Sequence, residues 1–214
     1  MEMIVIIALT TAIFVTAFGV LMRTTRQLIR LLSIQAATIG IVELALCFVD
    51  LLTGLKFEAL IDFFATFAEW FASAAISPLI IYWCMTRTEN VSDQLVTGTK
   101  KARILFSAVV VSSTILCIFT SSLLPSEISS LPFVALMLSI AILISATRVD
   151  PLKILIGLNM AENALYPIFA ESPLVLIPFM LGSMIFVNVA GVFIITEAYR
   201  DFGVMSIREW RFTD

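Results

Sequence analysis

The chain has 214 residues, 60% of them hydrophobic and 14% charged, with a net charge of −3. At a mean hydropathy of +1.07 it reads as an all-α polytopic membrane protein, without room for a sizeable water-soluble domain and without the basic surface that nucleic acid requires. Histidine, the commonest general base, metal ligand and haem ligand, is absent, and Cys47, Cys84 and Cys117 lie far apart with no CxxC, so iron–sulfur or zinc ligation by this chain alone is not expected.

Apolar runs long enough to span a bilayer, at roughly 20 residues each, fall at about 3–22, 28–49, 59–86, 103–123, 131–147, 152–170 and 174–199. The N-terminus MEMIVIIAL has no basic stretch before its apolar run, and reads as a retained helix rather than a cleaved signal. Every Lys and Arg except Lys56 falls at alternate ends of these runs. The positive-inside rule then puts the N-terminus outside and the C-terminus inside.

The first run is uncharged from Ile4 to Met22 and reads as a packing helix. The second carries Gln35 and Thr38 on one face, suited to interhelical hydrogen bonds, and Glu43 nearer its outer end. In the third, Glu69, Ser73 and Ser77 stack at i, i+4 and i+8, just ahead of Pro78. Proline cannot donate to the carbonyl four residues back, so the helix is loosened there. The polar segment 86–101 reads as an inside linker. The fourth and fifth runs hold no internal acid and read mainly as packing.

The sixth run, LKILIGLNMAENALYPIFA, organises the rest. Asn159, Glu162, Asn163 and Tyr166 stand at i, i+3, i+4 and i+7 and form one polar stripe. Gly157, Ala161 and Ala164 make a small-residue face on the other side. Such a helix is expected inside protein, and an ionisable residue at that depth is a functional-site candidate by default. The last run adds Ser183 and Asn188 near mid-membrane and Glu197 at the inner end.

LLSIQAATIG (31–40) aligns with LIGLNMAENA (155–164), so that Gln35 meets Asn159 and Thr38 meets Glu162. This organises the chain as a three-helix unit at 1–87, an inside loop with a linker helix at 88–128, and a second three-helix unit at 129–214. Two units in the same orientation need one extra helix between them. Parallel repeats of this kind occur in membrane folds.

ILIGLNMAENAL, followed by a further helix and the tail YRDFG…REWRF, resembles the K-type (NuoK-like) small subunit of complex I. It is more similar to component E of the hydrogenase-4 type (HyfE-like). At the position of the K-type glutamate this chain has Asn159, and the family asparagine matches Asn163. The component E pattern places glutamate directly before that asparagine, as in Glu162-Asn163. The resemblance covers about the last 65 residues; over the first half it is mainly topological, around Gln35 and SAAISPLIIY (73–82). Two positions depart from the component E pattern. Ser73 stands where a lysine is usual ahead of the proline, and Ser183 or Asn188 where the last helix usually carries a carboxylate.

The resemblance implies a non-redox integral subunit of a prokaryotic cytoplasmic membrane, within a respiratory hydrogenase or related oxidoreductase complex. Its partners would be antiporter-like membrane subunits and chains holding iron–sulfur and nickel–iron centres. Its role would be H⁺ or Na⁺ translocation along Glu162, Asn159, Asn163, Glu43, Glu69, Gln35, Asn188 and Tyr166, with Glu162 mattering most. The alternatives are a subunit of a multisubunit cation/proton antiporter and a structural scaffold between pumping subunits.

Overall fold

The computed structural model describes residues 2–53, 57–88, 104, 107, 111, 115, 131–169, 177–207 and 210. Among them the chain is all helical: α1 (Glu2–Leu21), α2 (Thr25–Thr53), α3 (Glu58–Phe71), a π-helical turn (Ala72–Ile76), α4 (Ser77–Arg87), α5 (Leu131–Ala146), α6 (Pro151–Phe169) and α7 (Ile177–Phe202). The expected run 103–123 lies outside the described residues, apart from helical and exposed Ile104, Ser107, Val111 and Ile115. Arg208 and Arg211 of the tail lie outside them too.

Local chemistry sets the helix ends. The Thr24 hydroxyl accepts the Gln27 N–H at 3.4 Å and caps α2. Asp150 Oδ1 accepts the Leu152 N–H at 2.9 Å, with Pro151 in the first helical position of α6. Gly203, at φ 67°, ends α7, its N–H donating to the Tyr199 carbonyl at 2.8 Å. The third run is one rod with a wide turn. Pro78 has no N–H, and the turn before it opens so that the Ser77 N–H reaches back five residues to the Ala72 carbonyl.

Consecutive helices pair as α1 with α2, α2 with α3, and α5 with α6, while α1 also packs on α5, α2 on α6 and α4 on α7. Close approach rests on glycine. A Cβ on Gly157 would lie 2.3 Å from Ser145 Oγ and 2.9 Å from its backbone nitrogen, so α5 and α6 touch backbone to backbone. Leu28, Leu32, Ile144, Leu152, Ile156 and Met160 fill the space between these pairs.

A basic clamp joins the two pairs at one end. The Arg148 guanidinium donates to the carbonyls of Gly19, Val20 and Met22 at 3.2, 3.1 and 2.6 Å. Lys153 Nζ donates to the Arg23 carbonyl at 2.8 Å and lies 3.7 Å from Asp150 Oδ2. Both basic side chains are buried. They satisfy the free carbonyls and the negative dipole end of α1. This differs from their sequence reading as residues of an inside surface, because a basic residue after an apolar run looks the same whether it faces headgroups or a neighbouring helix end. The clamp joins the ends of α1 and α5, so these helices run parallel. Ser77 meets Asn188 and, further along both helices, Cys84 Sγ lies 3.6 Å from Thr196 Oγ1, so α4 and α7 are parallel as well. The Ile207 N–H, donating to the Val149 carbonyl at 3.1 Å, brings the tail to the same end.

Among the described residues, Phe63–Arg87 and Leu181–Phe202 are long and apolar enough to cross a membrane, and Ile7–Leu21 and Leu131–Ala146 are shorter apolar helices. The outer surface carries exposed Phe14, Phe18, Phe64, Phe186, Phe193 and Ile194.

Gly157→Ala is expected to destabilise the chain by about 1–3 kcal/mol through overpacking against Ser145. Gly182 has nothing within 4 Å of an added Cβ, so Gly182→Ala should be neutral or stabilising by up to about 1 kcal/mol. Thermal melts of the two variants in one detergent check the contrast.

Candidate functional site

Two amides of the predicted path form a closed pair. Asn159 on α6 and Asn188 on α7 face each other, each Nδ2 donating to the other's Oδ1 at 2.8 Å. The other N–H of Asn159 goes to the Leu155 carbonyl at 2.9 Å, and that of Asn188 is shared between the Met184 carbonyl at 3.1 Å and Ser77 Oγ at 3.2 Å. This clasp ties α4, α6 and α7 together, with Asn159, Asn188 and Ser77 all buried. Ser77 is therefore committed to Asn188. Ser73, one turn from Glu69, donates its hydroxyl to the Glu69 and Trp70 carbonyls at 3.0 and 3.2 Å.

Gln35 is fully buried on α2. Its Nε2 donates to Thr16 Oγ1 at 2.8 Å and to the Met160 carbonyl at 3.2 Å, so one amide joins α1, α2 and α6. Thr16 had no distinguishing signal in an uncharged run. Thr38 does not share this bond; its hydroxyl turns to its own Ile34 carbonyl at 2.7 Å. Gln35 Oε1 is buried without a hydrogen-bond partner among the described residues.

The three carboxylates come from three helices: Glu43 on α2, Glu69 on α3 and Glu162 on α6. Glu69 lies within electrostatic reach of both Glu43 and Glu162 and is the middle member of the file. Tyr166, one turn beyond Glu162, interacts electrostatically with all three. Its hydroxyl donates to Met184 Sδ at 3.2 Å and lies within hydrogen-bonding reach of Ser73. Glu43 Oε1 is buried with no hydrogen-bond partner among the described residues, and so is Asn163 Nδ2. Glu162 is half-buried, one turn from Leu158, which is 53% exposed. All three acids are half-buried, and the π-helical turn begins within one turn of Glu69.

Trp70 shapes this region. It lies across Gly40, where an added Cβ would sit 2.0 Å from Trp70 Cδ1, and this lets α2 and α3 approach one turn from Glu43. Among the described residues no three His, Cys, Asp or Glu side chains converge closely enough to hold a metal ion. Ser183 is exposed on α7 and does not join the file. Comparison with protein-family models, characterised proteins and solved structures finds no match.

The predicted site residues therefore divide in two. Asn159, Asn188 and Gln35 hold helices together; Glu43, Glu69, Glu162 and Tyr166 lie within electrostatic reach along one file, with Asn163 next to Glu162 in sequence. Replacing Asn188 with Leu is expected to cost about 1–2 kcal/mol, because Asn159 is left with an unmatched buried amide. The double variant Asn159→Leu, Asn188→Leu should cost less than the sum of the single variants. Additive costs in a double-mutant cycle of unfolding free energies would show that the two amides are uncoupled.

Proposed function

We propose that this chain is a non-redox membrane subunit of a complex I-related membrane-bound hydrogenase or related oxidoreductase, and that its carboxylates form part of a proton or sodium path coupling electron transfer to ion pumping. The observation that carries this reading is that Glu69 on α3 lies within electrostatic reach of Glu43 on α2 and of Glu162 on α6. No Lys or Arg occurs in residues 31–53, 58–86 or 154–169, the stretches that contribute these acids. Carboxyl groups in such stretches add nothing to the packing of an apolar bundle. Such groups inside a membrane mark ion paths and proton relays.

The packing also supports the two-unit organisation. The partners that the repeat makes equivalent, α1 with α5, α2 with α6, and α4 with α7, make the most extensive contacts between the two units, and the clamp and the Ser77 and Cys84 contacts run α1 with α5 and α4 with α7 parallel. In this reading the N-terminus is outside and the clamped end is inside. The redox centres, iron–sulfur and nickel–iron, belong to partner chains, and antiporter-like subunits continue the ion path from Glu162.

The geometry alters the expected ranking of the acids. Glu69, reaching both other members, is as necessary as Glu162. Glu69→Gln and Glu162→Gln are each expected to slow ion-coupled turnover by about 100-fold, the low end for losing a positioned proton-transfer group, with the variant still assembled in its complex. Ion flux per electron in membrane vesicles, read beside subunit recovery from the same membranes, tests this. Wild-type coupling in both variants would leave the chain a scaffold. Recovery with antiporter subunits alone would remove the redox coupling.

A further inference from the structure

α4 and α7 touch through Cys84, whose Sγ lies 3.9 Å from the Val192 carbonyl and 3.6 Å from Thr196 Oγ1. Beside this contact the helices leave a groove of about 600 Å³, within the range of small-molecule sites. Leu79, Ile80, Trp83, Val189, Val192 and Phe193 line its apolar length, and Thr196 and Glu197 close one end. The two helices belong to the two segments long and apolar enough to cross a membrane. Leu79 and Phe193 are about two-thirds exposed, at 64% and 65%, so the groove opens sideways.

Polarity changes along the groove. At the end it shares with the Arg148 clamp, the Arg87 guanidinium lies 5.4 Å from the centroid of the Trp83 ring. That contact uses the face of the guanidinium and leaves its edge donors for another acceptor. Among the described residues Arg87 makes no ion pair. Arg200 is paired with Glu197, and lies 3.8 Å from Asp201.

We propose that the groove holds an acyl chain of a membrane phospholipid whose phosphate is bound by Arg87, with Glu197 and Arg200 meeting the rest of the headgroup. The proposal rests on the membrane placement in the functional reading and not on the ion path. Charge favours a phospholipid, because a guanidinium edge with no ion pair among the described residues matches a phosphate, and basic pockets between membrane helices bind anionic headgroups. Lipid tails are as apolar as the groove wall, so leaving the bilayer for the groove gains little hydrophobic free energy. Retention then depends on the arginine.

The test uses the tagged protein, with whatever accompanies it, purified from its native membrane in mild detergent and analysed by native mass spectrometry before and after a delipidating wash. The wild type is expected to keep phospholipid through the wash. Arg87→Gln should lose it by about tenfold or more, as the loss of a charge-assisted hydrogen bond implies, and Arg87→Lys should keep part. Val189→Trp, which fills the groove from a position 51% exposed, should lose it while Arg87 is intact. Wild type without lipid, retention unchanged in Arg87→Gln and Val189→Trp, or a cysteine at Phe193 cross-linking to another subunit would each overturn the proposal. Failure of the membrane placement is separate: the chain would then leave the membrane in alkaline carbonate before any detergent is added.

Discussion

A polar group enclosed by an apolar bundle has only other protein groups to bond, and this one constraint arranges most of the molecule. The free carbonyls at the end of α1 are met by Arg148 and Lys153, which come from the turn between α5 and α6. In water those carbonyls would be solvated and the turn would be free to move. Here the unmet cost of several backbone acceptors forces the α5–α6 turn against the end of α1. The same rule acts in the middle of the bundle, where Gln35 fastens α2 to α1 and α6, and the Asn159–Asn188 pair fastens α6 to α7 and α4.

These attachments leave α6 little freedom. Lys153 and Asp150 fix its first turn, Gly157 brings it against α5, and Asn159 sets its rotation toward α7. Glu162 and Tyr166 lie one and two turns further along, so their height and direction follow from contacts they do not themselves make. The rod containing α3 and α4 is held differently. Ser77 is fixed to Asn188 beyond the π-helical turn, whereas Glu69 lies before it. The wide turn therefore lies between the part of the rod that is clasped and the part that carries the acid. Wide turns of this kind often occur at functional positions.

Much of this was legible in the sequence, for reasons that can be traced. Run length and composition gave helices close to their described limits, and the i, i+3, i+4, i+7 spacing singled out the stripe on α6. Period and composition, however, describe one helix at a time. They marked Asn159 and Asn188 as mid-run amides but carried nothing about the two facing each other, so both were read as ion-path residues. They could not separate a basic residue at a headgroup from one buried on a helix end, which is why Arg148 and Lys153 looked like surface charges. Thr16 looked like any threonine in an apolar run, since its role depends on Gln35 from the next helix. The interhelical amide rule would have flagged the asparagine pair had α6 and α7 been taken as neighbours. Pro78 announced a disturbance, but its missing N–H fits a kink and a wide turn equally well.

The amides and the carboxylates answer the same constraint in opposite ways. An amide has donors and an acceptor, so two of them can close on each other, as Asn159 and Asn188 do, and nothing need enter or leave. An ionised carboxylate accepts and never donates. A second carboxylate therefore cannot satisfy it, and a third makes the shortage worse. Tyr166 and Ser73 bring one hydroxyl each, and Ser73 already donates to backbone carbonyls. The stretches holding Glu43, Glu69 and Glu162 contain no Lys or Arg to make up the difference. In the proposed reading, protons, a cation with its water, or a donor from another subunit complete this file. A closed amide pair is a structural solution to burial; in that reading, a file of acids short of donors works by exchange with its surroundings.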